Sequence, residues 1–374
     1  HRSIERISLL SVLMMKTYNA IFLALVFLIV SISAAIMLWS QPTSGDLTRI
    51  SAYPERWFGW NDPQQDIPPV INTPRQTGKF HILVIGDSFS EAGHWQSLLS
   101  NHYSFSFIHS GKTTLADILA LQGDKKPDAV VIETGERALP DMYGTASTFL
   151  QPVTHCQLPA ATQENTPALA EIQARMAQLP TFPLTQRKRW PSNGNNISEG
   201  FHIFKIYSSA LIKPKKRKAK VLALTSDQLF SSGKPDHILL LSKDFLLYDS
   251  IDDNNLNTVH CTMQAVDRAL TQAQLPHVIL TLPDKTTAYQ PYLADTKIKQ
   301  RLALINRLRM DALTGHDINM LQPIRSLIAA GNKDVYLPND THWGYKGFQL
   351  AAVLINEKLS AQLPTKNTTQ VTQP

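Results

Sequence analysis

The chain contains a serine, a histidine and an aspartate whose types and spacing could support nucleophilic catalysis. Ser88 ends the run HILVIGDS, in which β-branched and aliphatic residues stop abruptly at a Gly-Asp-Ser turn. Asp340 and His342 lie two positions apart in the segment YLPNDTHWGYKGFQLAA. A serine hydroxyl needs a base within hydrogen-bond reach, and that base needs an acceptor that orients it. We therefore expect His342 to accept the proton of Ser88 and Asp340 to hold the imidazole ring.

Each of these signals also has a purely structural interpretation. Gly-Asp-Ser is a common turn after a strand, and Asp-x-His is frequent in polar loops. The chain has 12 histidines, so eleven others compete for the role of base, and His94 and His109 are nearest to Ser88 in sequence. The combination favours catalysis, because one motif follows the first predicted strand and the other precedes the last predicted helix.

The elements that must position these residues follow an alternating pattern. Strands are predicted at 81–85, 104–108, 129–132, 238–241 and 277–282, and helices at 92–100, 114–121, 263–274, 297–313, 323–330 and 344–359. This alternation predicts an α/β fold, a three-layer sandwich whose mainly parallel sheet is covered by helices on both faces. Ligand sites in such sheets lie at the carboxyl ends of the strands, where Ser88 would stand.

The composition divides the chain into four regions. Residues 1–39 are predicted to form a cytoplasmic N-terminus and a membrane anchor, residues 40–80 a linker and lead-in, residues 81–362 the catalytic domain, and residues 363–374 a disordered tail. A polar, proline-bearing insertion interrupts the catalytic domain at about 141–235. Its basic run KPKKRKAK, residues 213–220, is either a solvated loop or a contact for an acidic polymer or the anionic membrane surface.

The membrane anchor is predicted because residues 20–38 contain no charge. A helix of this length spans about 28 Å, close to the roughly 30 Å hydrocarbon core of a bilayer. Arg2, Arg6 and Lys16 precede it, so we expect a single pass through the inner membrane with the catalytic domain in the periplasm. The alternative is a cleaved signal peptide. The net charge of +6 permits an anionic partner, but nucleic acid is not expected for an exported domain.

The two cysteines, Cys156 and Cys261, both fall in the exported part. An oxidising compartment would permit a disulfide between them, and two separate buried thiols are the alternative that the sequence leaves open. No cysteines and histidines are spaced as zinc ligands and no phosphate-binding loop is present, so neither a metal nor an organic cofactor is predicted.

Three segments resemble the conserved blocks of the SGNH hydrolase superfamily. IGDSFS resembles block I, HSGKTT with Gly111 resembles block II, and PDAVVIETGER resembles block III. The resemblance implies an SGNH-like, flavodoxin-like fold and an oxyanion hole formed by the N–H groups of Ser88 and Gly111. Block III usually ends in Asn-Asp, whereas this chain has Glu136 and Arg137. Either Arg137 replaces the usual asparagine donor, or the oxyanion hole rests on the N–H groups of Ser88 and Gly111 alone.

Two further segments are similar to the SGNH-like proteins of the alginate O-acetyltransferase type. DTHWGYKGFQLAA resembles their D-x-H-W motif, and LTLPDKTTAYQPYL resembles a segment with a lysine and a tyrosine. In that family the D-x-H motif precedes the serine motif, whereas here Ser88 comes first. The resemblance implies that Lys285 and Tyr289 contribute to substrate binding, with a surface lysine and a half-buried packing tyrosine as the alternative. Trp343, beside His342, could form a wall of the substrate pocket. It also implies a polytopic membrane O-acyltransferase as the partner that delivers the acetyl group.

These observations favour an exported O-acetyltransferase that modifies a polysaccharide, such as an exopolysaccharide, through an acetyl-serine intermediate. An SGNH-type carbohydrate acetyl-esterase is the first alternative, because the same triad with water as acceptor removes acetyl groups. A non-catalytic glycan-binding or assembly protein on the same scaffold is the second alternative, since the usual block III asparagine is absent.

Overall fold

We describe the protein from a computed structural model. It describes residues 2–40, 45–156, 168–186, 217–245, 252–303 and 315–364, together with the single positions 205, 209 and 212. Half of the basic run, most of the predicted tail and the second half of the helix predicted at 297–313 lie outside the described residues.

A five-stranded parallel sheet forms the centre of the domain. Nine strands are described: β1 Gln64–Gln65, β2 Phe80–Gly86, β3 Tyr103–His109, β4 Ala129–Gly135, β5 Leu184–Thr185, β6 Ala219–Ala223, β7 His237–Leu241, β8 His277–Leu282 and β9 Asp317–Asn319. The central sheet has the order β3-β2-β4-β8-β9, and every neighbouring pair in it is parallel. The predicted α/β class with a mainly parallel sheet is confirmed. Strands β4 and β8 are buried along their whole length, which is why they read as continuous apolar runs.

The strand order places a switch point beside β2. The chain adds β3 on one side of β2 and then crosses to add β4 on the other side. This is the flavodoxin-like order, in which ligands bind outside the carboxyl ends of the strands at that switch point. The residues that follow β2 and β4 therefore meet at the candidate site.

Helices connect the strands and cover the sheet. The short helices span Asp46–Ser51, Glu55–Phe58, Ser88–Glu91, His94–Leu98, Leu115–Leu119, Leu139–Tyr143, Leu169–Met176, Lys285–Ala288, Thr296–Ala303 and Leu321–Ala329, and the two long ones span Asp253–Gln272 and Tyr345–Gln362. Single 3₁₀ turns lie at Ser110–Lys112, Gly123–Lys125, Glu136–Ala138 and Gln290–Tyr292. Both long helices contact β8, and their apolar residues join one core with the central strands.

The strand predicted at 238–241 does not continue the central sheet. It is β7, and it pairs antiparallel with β6 in a separate two-stranded sheet. Leu239 of β7 is buried with Leu47, Phe58 and Ala219 in a second, smaller apolar cluster. An apolar run predicts burial but does not identify the partner strand, so the sequence could not distinguish the two sheets.

The segment predicted as a linker is partly folded. Residues Asp46–Ser51 and Glu55–Phe58 are helical, and Leu47 and Phe58 anchor them against β6 and β7. This part of the 40–80 region therefore belongs to the folded domain, where it contacts the candidate site.

The structure joins Cys156 and Cys261 in a disulfide, with the two Cα atoms 5.5 Å apart. The bridge connects the segment that follows Leu139–Tyr143 to the long helix Asp253–Gln272, across 105 positions of sequence. A hydrogen bond from the Val153 N–H to the Thr262 hydroxyl, 3.0 Å long, supports the same contact.

The N-terminal helix spans Arg2–Ser40. Its segment Met14–Ala35 is 22 residues long and apolar enough to cross a membrane, and almost none of it is buried against the protein. A signal sequence near the N-terminus has the same length and composition, so this helix fits either a signal anchor or a signal sequence.

Candidate active site

The turn after β2 exposes Ser88 to solvent. Gly86 is required there because a Cβ atom would lie 2.5 Å from the Glu133 carboxylate on β4. Asp87 Oδ1 accepts a hydrogen bond from the Phe89 N–H at 3.0 Å, and its Oδ2 accepts one from the Gly135 N–H at 3.2 Å. The Gly-Asp-Ser sequence thus connects the ends of β2 and β4 and leaves the serine side chain outside.

A tight loop carries the Asp-x-His sequence to the same edge of the sheet. Its first and last residues, Tyr336 and Trp343, form an antiparallel bridge. Within it the Leu337 N–H donates to the His342 carbonyl at 3.0 Å, and the Asp340 N–H donates to the Leu337 carbonyl at 3.2 Å. These bonds lie within the loop itself, and they orient the aspartate and the histidine.

The three predicted side chains form a continuous hydrogen-bonded chain. His342 Nε2 lies 2.7 Å from Ser88 Oγ, and His342 Nδ1 lies 2.6 Å from Asp340 Oδ1. With the ring proton on Nδ1, His342 donates to the carboxylate and its Nε2 lone pair faces the serine hydroxyl. The rival bases are not in this position: the His94 ring contacts the Ile67 carbonyl, and His109 Nδ1 accepts from the Gly111 N–H.

The charges of the site favour an ionised aspartate and a basic histidine. Burial opposes protonation of His342, but the hydrogen bond to Asp340 and the charges of Asp340 and Asp46 outweigh it, so the pKa of His342 is raised. Burial would raise the pKa of Asp340, but its hydrogen bond to His342 and the histidine charge hold that pKa well below its usual range. Asp340 therefore stabilises the imidazolium that would form during proton transfer.

Lys285 does not lie where a substrate could touch it. The sequence assigns it to substrate binding, but its side chain is 2% exposed. Its Nζ donates to the carbonyls of Leu337, Pro338 and Asp340 at 2.8, 2.9 and 3.2 Å. Burial lowers the pKa of Lys285 to about 7, although the nearby carboxylates favour its charged form. Lys285 thus holds the loop that carries the candidate aspartate.

Trp343 and Tyr289 are also buried, with exposures of 1% and 0%, so they do not line an open pocket. The Trp343 ring lies 4.8 Å from the Phe89 ring, which in turn lies 4.8 Å from the His342 ring. Tyr289 stacks on Phe230 and accepts a hydrogen bond from the Tyr336 N–H at 3.4 Å. Both aromatic residues support the site from inside the domain.

Asp46 is a site residue that the sequence does not reveal. Its Oδ1 accepts from the Thr341 N–H at 2.9 Å, and its own N–H donates to Asp340 Oδ2 at 3.1 Å. Burial, and next the charge of Asp340, raise the pKa of Asp46. The residue lies in a polar region almost 300 positions before the loop, and no local motif marks it.

The expected oxyanion donors differ in their surroundings. The Gly111 N–H is already bonded to His109 Nδ1 at 3.2 Å. Arg137 forms ion pairs with Asp244 and Asp284, each 3.1 Å long. Burial opposes its charge, but these two carboxylates raise the pKa of Arg137 further, so the guanidinium stays charged. Arg137 is partly exposed, and its charge acts on His342, which places it beside the triad.

Buried acids with raised pKa values surround this arginine. Burial, and then the charge of Asp284, raise the pKa of Glu136 to about 8, and the same two causes raise the pKa of Asp244 to about 8. Burial, and next the charge of Asp87, raise the pKa of Glu133 well above its usual value. Glu133 and Glu136 therefore bind protons more readily than exposed glutamates do, whereas Asp244 is paired with Arg137.

The flavodoxin-like strand order, with a serine turn after the first strand and a D-x-H loop before the last helix, defines an SGNH hydrolase-like domain. A family model described as the SGNH hydrolase-like domain of acetyltransferase AlgX matches residues 232–373. Residues 232–373 are thus similar to the SGNH hydrolase-like domain of the AlgX acetyltransferase family, as the sequence resemblance predicts, and this similarity favours an SGNH-type O-acyltransferase. The matched segment includes Asp340 and His342 but not Ser88. Comparison with curated proteins and with solved structures gives no match.

Proposed function

We propose that this protein transfers acetyl groups to hydroxyls of a polysaccharide through a covalent acetyl-Ser88 intermediate. The observation that carries the proposal is the hydrogen-bonded chain from Ser88 Oγ through His342 to Asp340, with links of 2.7 and 2.6 Å. The match to an acetyltransferase family favours acyl transfer over other serine chemistry.

In the first half-reaction Ser88 Oγ attacks the carbonyl carbon of the acetyl donor while His342 Nε2 takes its proton. Asp340 stabilises the imidazolium, and Asp46 adds a second negative charge behind it. The tetrahedral intermediate then collapses, the leaving group takes the proton from His342, and the acetyl group stays on Ser88. The Ser88 N–H and the Arg137 guanidinium are the proposed oxyanion donors, and the Gly111 N–H would join them after leaving His109 Nδ1. Losing one such donor typically costs about 2.7–4 kcal/mol.

In the second half-reaction a sugar hydroxyl replaces the donor. His342 takes the hydroxyl proton, the sugar oxygen attacks the acetyl carbon, and Ser88 Oγ leaves with the proton returned by His342. The exposure of Ser88 allows a long polymer to reach the acetyl group without entering a closed pocket. Water in place of the sugar would make the protein an acetyl-esterase.

We also propose that the helix Arg2–Ser40 anchors the domain to the inner membrane, with the catalytic domain on the periplasmic side. The apolar length of Met14–Ala35 supports this, as does its solvent exposure. The acetyl donor would be a polytopic membrane O-acyltransferase, which the anchor would keep near Ser88.

The test uses the full chain in detergent, an activated acetyl ester as donor, and oligosaccharides as acceptors. Acetylated sugar, together with a mass increase of one acetyl group on Ser88 when the acceptor is omitted, supports the proposal. Free acetate alone, whatever the acceptor, would assign the protein to the esterases. No turnover and no acetyl-enzyme would favour the glycan-binding alternative.

The key variant is Ser88→Ala, which should abolish both the acetyl-enzyme and the acetylated product. Ser100→Ala is the matched control, because Ser100 precedes β3 at the opposite end of the sheet and its hydroxyl bonds the Ser97 carbonyl. His342→Ala and Asp340→Ala should lose activity as well. The triple variant should be hardly worse than Ser88→Ala, since a triad acts as a unit.

A further inference from the structure

A second cluster of polar side chains lies at the opposite end of the sheet. Asp267 belongs to the helix Asp253–Gln272, His277 begins β8, and His316 immediately precedes β9. Asp267 Oδ1 lies 2.9 Å from His277 Nε2 and 2.8 Å from His316 Nδ1. The two imidazole rings are 4.4 Å apart. Neither the proposed acetyl transfer nor any sequence motif accounts for this arrangement.

The hydrogen bonds of His277 leave one ring nitrogen directed at the cluster. His277 Nδ1 lies 2.9 Å from the Leu275 carbonyl, which can only accept, so Nδ1 carries a proton. In the neutral ring, Nε2 then holds a lone pair that points at the Asp267 carboxylate. Two acceptors face each other in a side chain that is only 1% exposed. A cation held among the three side chains would satisfy both acceptors.

We propose that Asp267, His277 and His316 bind a divalent transition-metal ion of the zinc type. One ligand atom from each residue can be chosen so that all three lie within 4.8 Å of one another. Imidazole nitrogen and carboxylate oxygen together suit Zn²⁺ better than Mg²⁺ or Ca²⁺, which prefer oxygen ligands. The bond from His277 Nδ1 to a backbone carbonyl is the outer contact that metal-bound histidines usually make.

The surroundings leave room for a fourth ligand and suggest a structural role. His316 is about one-third exposed, so solvent can reach the cluster and a water molecule can complete a tetrahedron. The cluster connects a long helix with the amino ends of β8 and β9, whereas Ser88 lies at the carboxyl ends of the strands. An ion there would stabilise the packing of these elements without touching the reacting atoms.

The experiment measures zinc binding by the full chain, purified in detergent without a polyhistidine tag and stripped with a chelator. Isothermal titration with Zn²⁺ should show one ion per chain, and saturating Zn²⁺ should raise the melting temperature. Cobalt substitution should give the visible spectrum of a four-coordinate site. Loss of an outer contact alone weakens metal binding by about 10–100-fold, so loss of a direct ligand should weaken it by at least that factor.

The variants His316→Ala and Asp267→Asn should each lose this binding, while His102→Ala, at an exposed histidine outside the cluster, should keep it. His316→Ala should leave Ser88 acetylation unchanged, so failure here is distinct from failure of the proposed function. Absence of zinc binding to the wild-type chain would overturn the proposal. Equal zinc binding by the wild type and both cluster variants would also overturn it.

Discussion

Replacement of Asp46 by asparagine should shift the pH dependence of catalysis towards lower pH. Asp46 contributes a negative charge that, with the hydrogen bond to Asp340, raises the pKa of His342. Asparagine keeps the size of the side chain, and its amide can still accept from the Thr341 N–H. The bond from the backbone N–H of residue 46 to Asp340 is also retained. The variant therefore removes a charge and leaves the geometry of the triad intact.

The size of the shift follows from the distance between the charges. One polar side-chain atom from each of Asp46, Asp340 and His342 can be chosen so that the three atoms lie within 4.8 Å of one another. Two unit charges at this separation interact by about 0.9 kcal/mol with the dielectric constant of water and by about 3.5 kcal/mol with an effective value near 20. Because one pKa unit corresponds to about 1.36 kcal/mol, the pKa of His342 should fall by about 0.6 to 2.5 units.

The assay is the pH profile of kcat/KM for acetyl transfer from an activated ester. Its acidic limb reports the pKa of the base in the free enzyme, because only neutral His342 can accept the serine proton. The Asp46→Asn limb should move to lower pH by the stated amount, whereas Asp124→Asn, at an exposed site far from the triad, should not move it. An unchanged limb in Asp46→Asn, with normal folding, would refute the electrostatic role of Asp46.

Three other variants test the supports of the site. Lys285→Met should reduce kcat/KM by about 100-fold, since displacement of a catalytic group by about 1 Å costs that much. The pKa of Lys285 is about 7 in the folded chain and about 10.4 when unfolded, so the wild type should gain stability from about pH 7 to 10, at up to about 1.4 kcal/mol per pH unit. Chemical unfolding at several pH values should show that the variant lacks this gain. Gly86→Ala should lower activity and destabilise the fold by about 1–3 kcal/mol in urea, because its Cβ would lie 2.5 Å from a buried carboxylate oxygen, whereas Gly315→Ala has open space and should be neutral. Serine at both Cys156 and Cys261 should reduce the free energy of unfolding by about 5 kcal/mol, as expected for a loop of 105 positions; an unfolding midpoint that reductant does not change in the wild type would contradict a bridge.

The strands of the central sheet were largely predictable because most of them are buried on both faces. The strand predicted at 277–282 has the bounds of β8, and those at 81–85 and 104–108 differ from β2 and β3 by one residue at each end. Continuous burial produces an apolar run with sharp ends, which the sequence displays directly. Strand β9, with three residues, is too short to give such a signal. Strand β9 is recognisable only in the folded chain, where it pairs with β8.

The meeting of Ser88 and His342 was predictable for a different reason. Parallel strands bring all their carboxyl ends to one edge, so a motif after the first strand and a motif before the last helix converge there whatever lies between them. The residues that hold this geometry were not predictable. Asp46 lies far in sequence from the loop that it supports, and so does Lys285 from the three loop carbonyls that it binds. No local sequence pattern marks these contacts. Only tertiary structure reveals them.

The same topology explains why the order of the two motifs along the chain is not fixed by the site. The site requires that the serine turn and the D-x-H loop meet at the carboxyl edge of the sheet, and chain order does not enter that requirement. The loop that carries Asp340 and His342 is held on two sides. Lys285 binds its carbonyls from the β8 side, and Asp46 binds Thr341 from the N-terminal side. The segment that precedes the serine strand thus supports the site: it folds into the helices Asp46–Ser51 and Glu55–Phe58, and the first residue of this segment bonds the loop.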